Sequence, residues 1–462
     1  MGVGAVVRRA NMRLSTSVAP AVPRASTKED IEVFCMNRGQ MLGLVAAAFL
    51  GAAATPATAT AENPITRADS LFRAGQFAQA EQIYADVLAA DAKCYEAVVR
   101  LGEIALLGNR FPEAERFLRK GLEIRPDDNK PKSLLAEVYY RQDRFEQAAA
   151  LQREVGREAV ADKLASFKGL VPNQLVGDAA ETRIAFEQTD PLPVIKARMN
   201  GGDEVHLLID TGAAELYLDP QFAESVGAVV TGSAKGVYAG GKQATTGQGR
   251  IESIRLGDFE LRNVPVLLLP TRHLPFGPPG ARIEGVLGTA VLHHFFSTLD
   301  YPHGQLVLRR KTDKARAELD QLAKSPGTHV VPFWMAGSHF IVAWGRVNDA
   351  EPCLLFVDTG LAGGGLTCQE STVKSAGIDL NGVPAREGIG GGGPVQVKRF
   401  TVDRLALGDA VQTNIQAFAG GLPPDAEYRH GFRIGGIISH GFFRPYALTF
   451  DFEKMRLLMS GE

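Results

Sequence analysis

Two apolar runs in this chain end on the same three residues. Leu207–Leu218 reads LLIDTGAAELYL, and Leu354–Thr367 reads LLFVDTGLAGGGLT. Each reads as a β-strand that delivers an acid, Asp210 or Asp358, to its end and turns at once through threonine and glycine. A carboxylate carried inward by an apolar strand is costly unless something nearby answers its charge. One such turn in a long chain is ordinary. Two in matching surroundings constrain the fold.

The surroundings do match. After Asp210 come a glycine-rich turn at Tyr238–Gly241 (YAGG), then RIESIRLGDFELRNVPVLLLP, IEGVLGTAVLHHF and LDYPHGQLVL. After Asp358 come IGGGGP at Ile389–Pro394, then VDRLALGDAVQTNIQAF, IGGIISHGFF and LTFDFEKMRLLM. Gly285 lies 75 residues after Asp210 and Gly436 lies 78 after Asp358; Asp300 and Asp451 follow at 90 and 93. One insertion of three residues before the second glycine-rich turn accounts for both differences. Short alternating runs of Val, Ile, Leu and Phe, punctuated by Gly and Pro, predict β structure throughout. The body is therefore expected to be one β unit written twice, as lobes over 180–312 and 328–462. The polar, amphipathic KARAELDQLAK (Lys314–Lys324) falls in a 313–327 linker between them.

Residues 62–165 differ in texture, being rich in Ala, Leu, Glu and Arg with helical periodicity. They also repeat. Phe77, Phe111 and Phe145 are 34 residues apart, as are Ala80, Ala114 and Ala148, and Ala68, Gly102 and Ala136; Pro126 closes the second unit. Small residues where two helices cross, and an aromatic opening the second helix, resemble the tetratricopeptide repeat in three units. The third unit weakens where Gly156 stands in register with Leu88 and Leu122. Such stacks commonly hold a peptide or protein on a concave face. Both a protein partner and a spacer role packed on the body fit this region.

Residues 1–61 read as an N-terminal extension and secretory signal. From Met36 a basic head (Arg38) precedes an apolar core, Met41–Ala54, and small residues ending at Ala59–Thr60–Ala61. That is the order of a secretory signal, and it makes Met36 a candidate for the true start. The core is shorter than the roughly 20 residues that span a bilayer. A periplasmic or secreted destination is expected, with an N-terminal membrane anchor as the alternative. The 50 basic and 52 acidic residues exclude a polycation, so no nucleic-acid partner is expected.

Two carboxylates brought face to face can activate water without a metal or a covalent nucleophile. Like charges that close do not both ionise cheaply, so the pair keeps one proton and titrates as a unit. The ionised partner takes a proton from the attacking water. The protonated one hydrogen-bonds the scissile carbonyl and later helps protonate the departing amine. Glycine after each acid lets the turns approach closely, and threonine can lock them through hydroxyl-to-backbone bonds.

With these features the body resembles the aspartic proteases. DTGA and GVLGTAVLHHF are more similar to the retropepsin-type branch than to pepsin, although both halves lie in one chain, as in pepsin. The resemblance implies a multidomain protein: all-α tetratricopeptide hairpins, then an all-β bilobal acid-protease fold with pseudo-twofold symmetry. It implies a catalytic dyad of Asp210 and Asp358, braced by Thr211, Gly212, Thr359 and Gly360. Gly285–Gly288 and Gly436–Ser439 would wrap beneath the acid loops. Two flaps would cover the substrate, one around Tyr238, Gly240 and Gly241, the other around Gly390 and Gly391. The activity implied is that of an aspartic endopeptidase acting on polypeptide substrates without a cofactor. Two departures stand out: Ala213 and Leu361 lack a hydroxyl after the motif, and IISHG replaces GVLG in the second half. A non-catalytic peptide-binding adaptor or envelope scaffold on the same fold is the alternative.

Other motifs carry less. His293–His294 has no acid or cysteine at ligand spacing and reads as packing or surface, so no metal site is expected. His303, His329, His339, His430 and His440 are scattered. No Gly-x-Ser-x-Gly elbow supports a serine triad. GIGGGGP has glycines at dinucleotide-loop spacing but no βαβ context. Of four cysteines, Cys35 falls in the leader and Cys94, Cys353 and Cys368 fit no zinc pattern. Cys353 and Cys368 flank the second acid motif and are either bridged or buried as small apolar side chains.

Overall fold

The computed structural model describes residues 62–461 except 238–242, 391–392 and 424. The expected secretory signal therefore lies outside the described residues, as do Tyr238, Gly240, Gly241 and Gly391 of the expected flaps. All described residues belong to a single packed unit.

Three helical hairpins come first: α1 (Pro64–Arg73) with α2 (Phe77–Ala90), α3 (Tyr95–Leu107) with α4 (Phe111–Ile124), and α5 (Asn129–Tyr140) with α6 (Phe145–Glu154). A further helix, α7 (Glu158–Ala165), caps the stack. The repeated alanines Ala68, Ala80, Ala114, Ala136 and Ala148 are fully buried where helices cross. Asn63 and Asp128 start α1 and α5, their side chains accepting the amides of Ile65 and Lys130. Gly156, at φ +77, stops α6 in the left-handed conformation that glycine tolerates. The third unit weakens for that reason: α6 has 10 residues, against 14 in α2 and in α4.

The β body follows in two passes of the same order. The first has β1 (Gln174–Val176), β2 (Glu181–Ala185), β3 (Val194–Met199), β4 (Glu204–Ile209), β5 (Leu216–Leu218), α8 (Pro220–Ser225), β6 (Val229–Val237) and β7 (Gln243–Leu256). It continues with β8 (Phe259–Leu268), β9 (Ile283–Leu287), α9 (Thr289–Leu292), β10 (Phe296–Asp300) and β11 (Gln305–Arg309). After α10 (Asp313–Leu322) the second has β12 (Thr328–Ala336), β13 (Phe340–Val347), β14 (Cys353–Asp358), β15 (Leu366–Cys368), α11 (Glu370–Ser375), β16 (Ala385–Gly390) and β17 (Gly393–Leu407). It ends with β18 (Ala410–Gly420), β19 (Ile434–Ser439), α12 (His440–Phe443), β20 (Ala447–Asp451) and β21 (Arg456–Ser460).

The first half folds as a sheet of order β1-β8-β5-β9-β4-β3-β7-β6, with β7 also pairing β8. The second repeats that weave as β16-β17-β18-β15-β19-β14-β13, with β17 also pairing β13. The halves are joined by six strands, β2-β11-β10-β20-β21-β12. At the centre β10 and β20 run antiparallel with Thr298 opposite Thr449, their hydroxyls 2.7 Å apart. Helix α10 packs Ala315 and Leu319 against Phe296 of β10 and Leu458 of β21. Small turns repeat as well. Asn200 and Asn348 both sit at φ 49. Their side-chain oxygens accept the amides of Ser253 and Arg404 at 2.9 and 3.1 Å.

The helices are packed on this body. Phe72, Phe77, Leu101 and Leu107 share a core with Val342, Leu354, Phe356 and Phe432. The Phe77 ring meets Trp334 and Phe432 edge-on at 5.3 and 5.0 Å. Buried Arg141 donates to the carbonyls of Met335, at 2.9 Å, and of Gly337. Cys353 and Cys368 are free thiols. The bridged alternative is overturned because β19 lies between their strands. Two strand spacings put the Cα atoms roughly 9–10 Å apart, beyond the ~7 Å a disulfide can span. Among the described residues, no helix is long and apolar enough to cross a membrane.

Candidate active site

Each acid sits where a strand leaves the sheet beside a parallel neighbour. Ile209 on β4 pairs with Leu287 on β9, and Val357 on β14 pairs with Ile438 on β19. The Gly285–Gly288 and Gly436–Ser439 segments thus run under the two acid turns. Thr289 Oγ1, at the start of α9, donates to the Thr211 carbonyl at 2.8 Å and supports the first turn from below.

The turns grip one another through their threonines, both fully buried. Thr211 Oγ1 donates to the Val357 carbonyl at 3.0 Å and accepts the Thr359 amide at 3.1 Å. Thr359 Oγ1 accepts the Thr211 amide at 3.0 Å. The following glycines complete the turns: the Gly212 amide donates to Asp210 Oδ1 at 2.6 Å, and the Gly360 amide to Asp358 Oδ1 at 2.9 Å. They also make room. A Cβ on Gly212 would lie 2.5 Å from Asp358 Oδ2, and one on Gly360 would overlap the Asp210 carboxyl group.

The carboxyl groups of Asp210 and Asp358 hydrogen-bond each other. Each residue is half-buried. Burial pushes Asp210 above the ordinary carboxylate range, opposed by hydrogen bonds from Asp358 and from the Gly212, Ala213 and Gly360 amides. Burial pushes Asp358 further up, and the Asp210 charge adds to it. The pair therefore holds one proton between its two members and titrates as a unit.

Four residues named from the sequence as braces, Thr211, Gly212, Thr359 and Gly360, thus come together around the two acids. Gly390 lies at the end of β16, paired with Gly393 across the hairpin to β17. The His293 ring packs at a tilt against Phe452, and His294 Nε2 lies 2.9 Å from Asp143 Oδ2 of the helical region.

Two clusters near the acids were not foreseen. His440 opens α12 at the place of Thr289 in α9. Instead of bracing its own turn it reaches Asp190 of the first half, Nε2 to Oδ1 at 3.0 Å, and Arg444 meets the other Asp190 oxygen at 2.8 Å. The Tyr301 ring packs edge-on against His440 at 5.2 Å. The second cluster is Glu215 with Lys163 and Tyr140 of the helices. The one local signal was an acid embedded between apolar residues in AAELYL.

An aspartyl protease family model matches residues 195–291 and 343–427, one segment in each half. Two tetratricopeptide repeat families match residues 71–136 and 131–154. Both halves of the β body thus match the aspartyl protease family, and the helices ahead of it match tetratricopeptide repeats. Among solved structures, conglutin gamma, a basic 7S globulin from lupine seeds, is similar at TM-score 0.38 and 11% identity over 62% of this chain and 96% of its own. A retropepsin-like aspartic protease from Rickettsia conorii is similar at TM-score 0.20 and 19% identity over 30% of this chain and 91% of its own. No curated protein matches the chain.

Proposed function

We propose that this protein is an aspartic endopeptidase whose dyad is Asp210 and Asp358. The observation that carries the reading is the hydrogen bond between the two carboxyl groups, held on turns that brace each other through Thr211 and Thr359. A water bridging the pair loses a proton to Asp210 as it attacks the scissile carbonyl. Asp358 hydrogen-bonds that carbonyl oxygen, stabilises the charge it gains, and later gives its proton toward the departing amine. The substrate lies extended, adding a strand between the β6–β7 and β16–β17 hairpins. The repeats, fixed on the body through Phe77 and Arg141, hold the polypeptide substrate or a protein partner near the cleft. The signal-like order of residues 36–61 supports a place of work in the periplasm or the cell exterior.

Purified protein is incubated with denatured casein from pH 3 to 7, with and without a statine-type inhibitor. Inhibitor-sensitive cleavage is expected. Binding of casein without products would replace the endopeptidase by a peptide-binding adaptor.

A further inference from the structure

The first acid turn continues past Gly212 and is fastened at its far end to the helices. Ala213 and Ala214 give their carbonyls to the amides of Thr289 and Ala290 at 2.9 and 3.0 Å. Glu215 closes the loop before β5 begins. Its two carboxylate oxygens lie 2.6 and 2.8 Å from Lys163 Nζ on α7, and the Tyr140 hydroxyl of α5 donates to it at 2.7 Å. Lys163 is 2% exposed and Glu215 6% exposed. The Tyr140 ring is held by stacking on Phe145 at 5.4 Å.

We propose that Lys163 and Tyr140 are positioning residues for the dyad, acting through Glu215. The inference rests on the endopeptidase reading above. An enclosed ion pair adds little stability over apolar packing, because desolvating both charges offsets their attraction. What it supplies is a fixed geometry, since neither charge can leave the other at tolerable cost. Here that geometry sets the end of a loop whose start is Asp210, five residues earlier. Helix α7 lies beyond the segments that match the repeat families. It also touches β6, which leads into the first glycine-rich turn: a Cβ on Gly232 would lie 3.6 Å from that of Ala159. One helix thus contacts both the acid loop and the hairpin above it. The second half has no counterpart, because Gly363 stands where Glu215 stands in the first.

The test compares full-length Lys163→Met, Tyr140→Phe and the double variant Lys163→Met/Glu215→Leu with wild type. kcat and KM on casein, the urea midpoint and deuterium uptake of residues 207–218 are measured. Lys163→Met is expected to lower kcat by about tenfold or more with KM within about twofold, as misplacement of a catalytic group does. Its uptake at residues 207–218 should rise. The double variant, with no stranded charge, should regain the urea midpoint but not kcat; Tyr140→Phe should show a smaller loss of kcat. Recovery of kcat together with the midpoint would reduce the pair to a structural contact and overturn the proposal, as would unchanged kcat in Lys163→Met. If Lys163→Met does not fold, the double variant decides. If wild type cleaves nothing, the endopeptidase reading fails by itself. Deuterium uptake then decides the positioning, with unaltered exchange of residues 207–218 in the double variant counting against it.

Discussion

Replacing Asp358 by asparagine keeps the outline of the dyad and removes one charge. In the wild type burial pushes both carboxyl groups above the ordinary carboxylate range, Asp358 the more strongly because the facing Asp210 charge adds to it. Two ionised carboxylates with charge centres about 4 Å apart repel by roughly 4 kcal/mol at an effective dielectric of about 20. The folded protein avoids that cost by keeping a proton that the unfolded chain releases near pH 4. A folded-state pKa above the unfolded one means that the folded state binds the extra proton. Its contribution to stability is whole below the unfolded value and is lost as pH rises through the folded one. The asparagine amide would have no such proton to lose. The stability of Asp358→Asn relative to wild type should therefore climb from acid to neutral pH, by no more than about 4 kcal/mol. kcat should fall by roughly 10²–10⁴-fold, the usual worth of an acid–base partner. Urea titrations from pH 4 to 8, with casein cleavage measured on the same preparations, read both effects. Taking the difference between the two proteins cancels the titration of groups remote from the dyad. A stability difference that stays flat with pH, or a variant that cleaves within tenfold of wild type, would refute the shared-proton reasoning.

Thr211→Val should destabilise by about 2–6 kcal/mol in urea, because it strands the Val357 carbonyl and the Thr359 amide in a dry interior at about 1–3 kcal/mol each. Gly360→Ala should fold, with a far-UV spectrum like that of wild type, and cleave no casein, because its methyl group takes the space of the Asp210 carboxyl. Glu115 should titrate by NMR at about 2, held down chiefly by the hydrogen bond from Arg144, with Arg119 and Tyr139 adding to it against the effect of burial. What this group contributes to stability is present above its ordinary pKa and lost as pH falls toward 2, and Arg144→Gln should return the midpoint toward 4.5.

The chemistry-bearing parts were legible because their signals are local or periodic. Asp-Thr-Gly can be seen twice without knowing any contact, and the 34-residue step of Phe77, Phe111 and Phe145 needs only counting. The cross-lobe threonine grip follows from the same motif once two copies are allowed to meet. What stayed hidden depends on distant segments. Lys163 and Glu215 are 52 residues apart, and Asp190 and His440 are 250 apart. Each partner looks like an ordinary surface charge until the chain brings them together. Cys353 and Cys368 left two readings open for the opposite reason. They are near in sequence, yet the sheet order β15-β19-β14 inserts a strand between them, a placement that a long-range crossover fixes and that no local pattern records.

The seam between β10 and β20 lies within one polypeptide. Dilution cannot part the two banks of the cleft, so their encounter does not depend on protein concentration. A pair of identical chains would also have to accept every substitution on both banks at once. Here each bank can be edited alone, which is how a histidine came to face Asp190 on one side and a carboxylate came to be moored to a helix on the other.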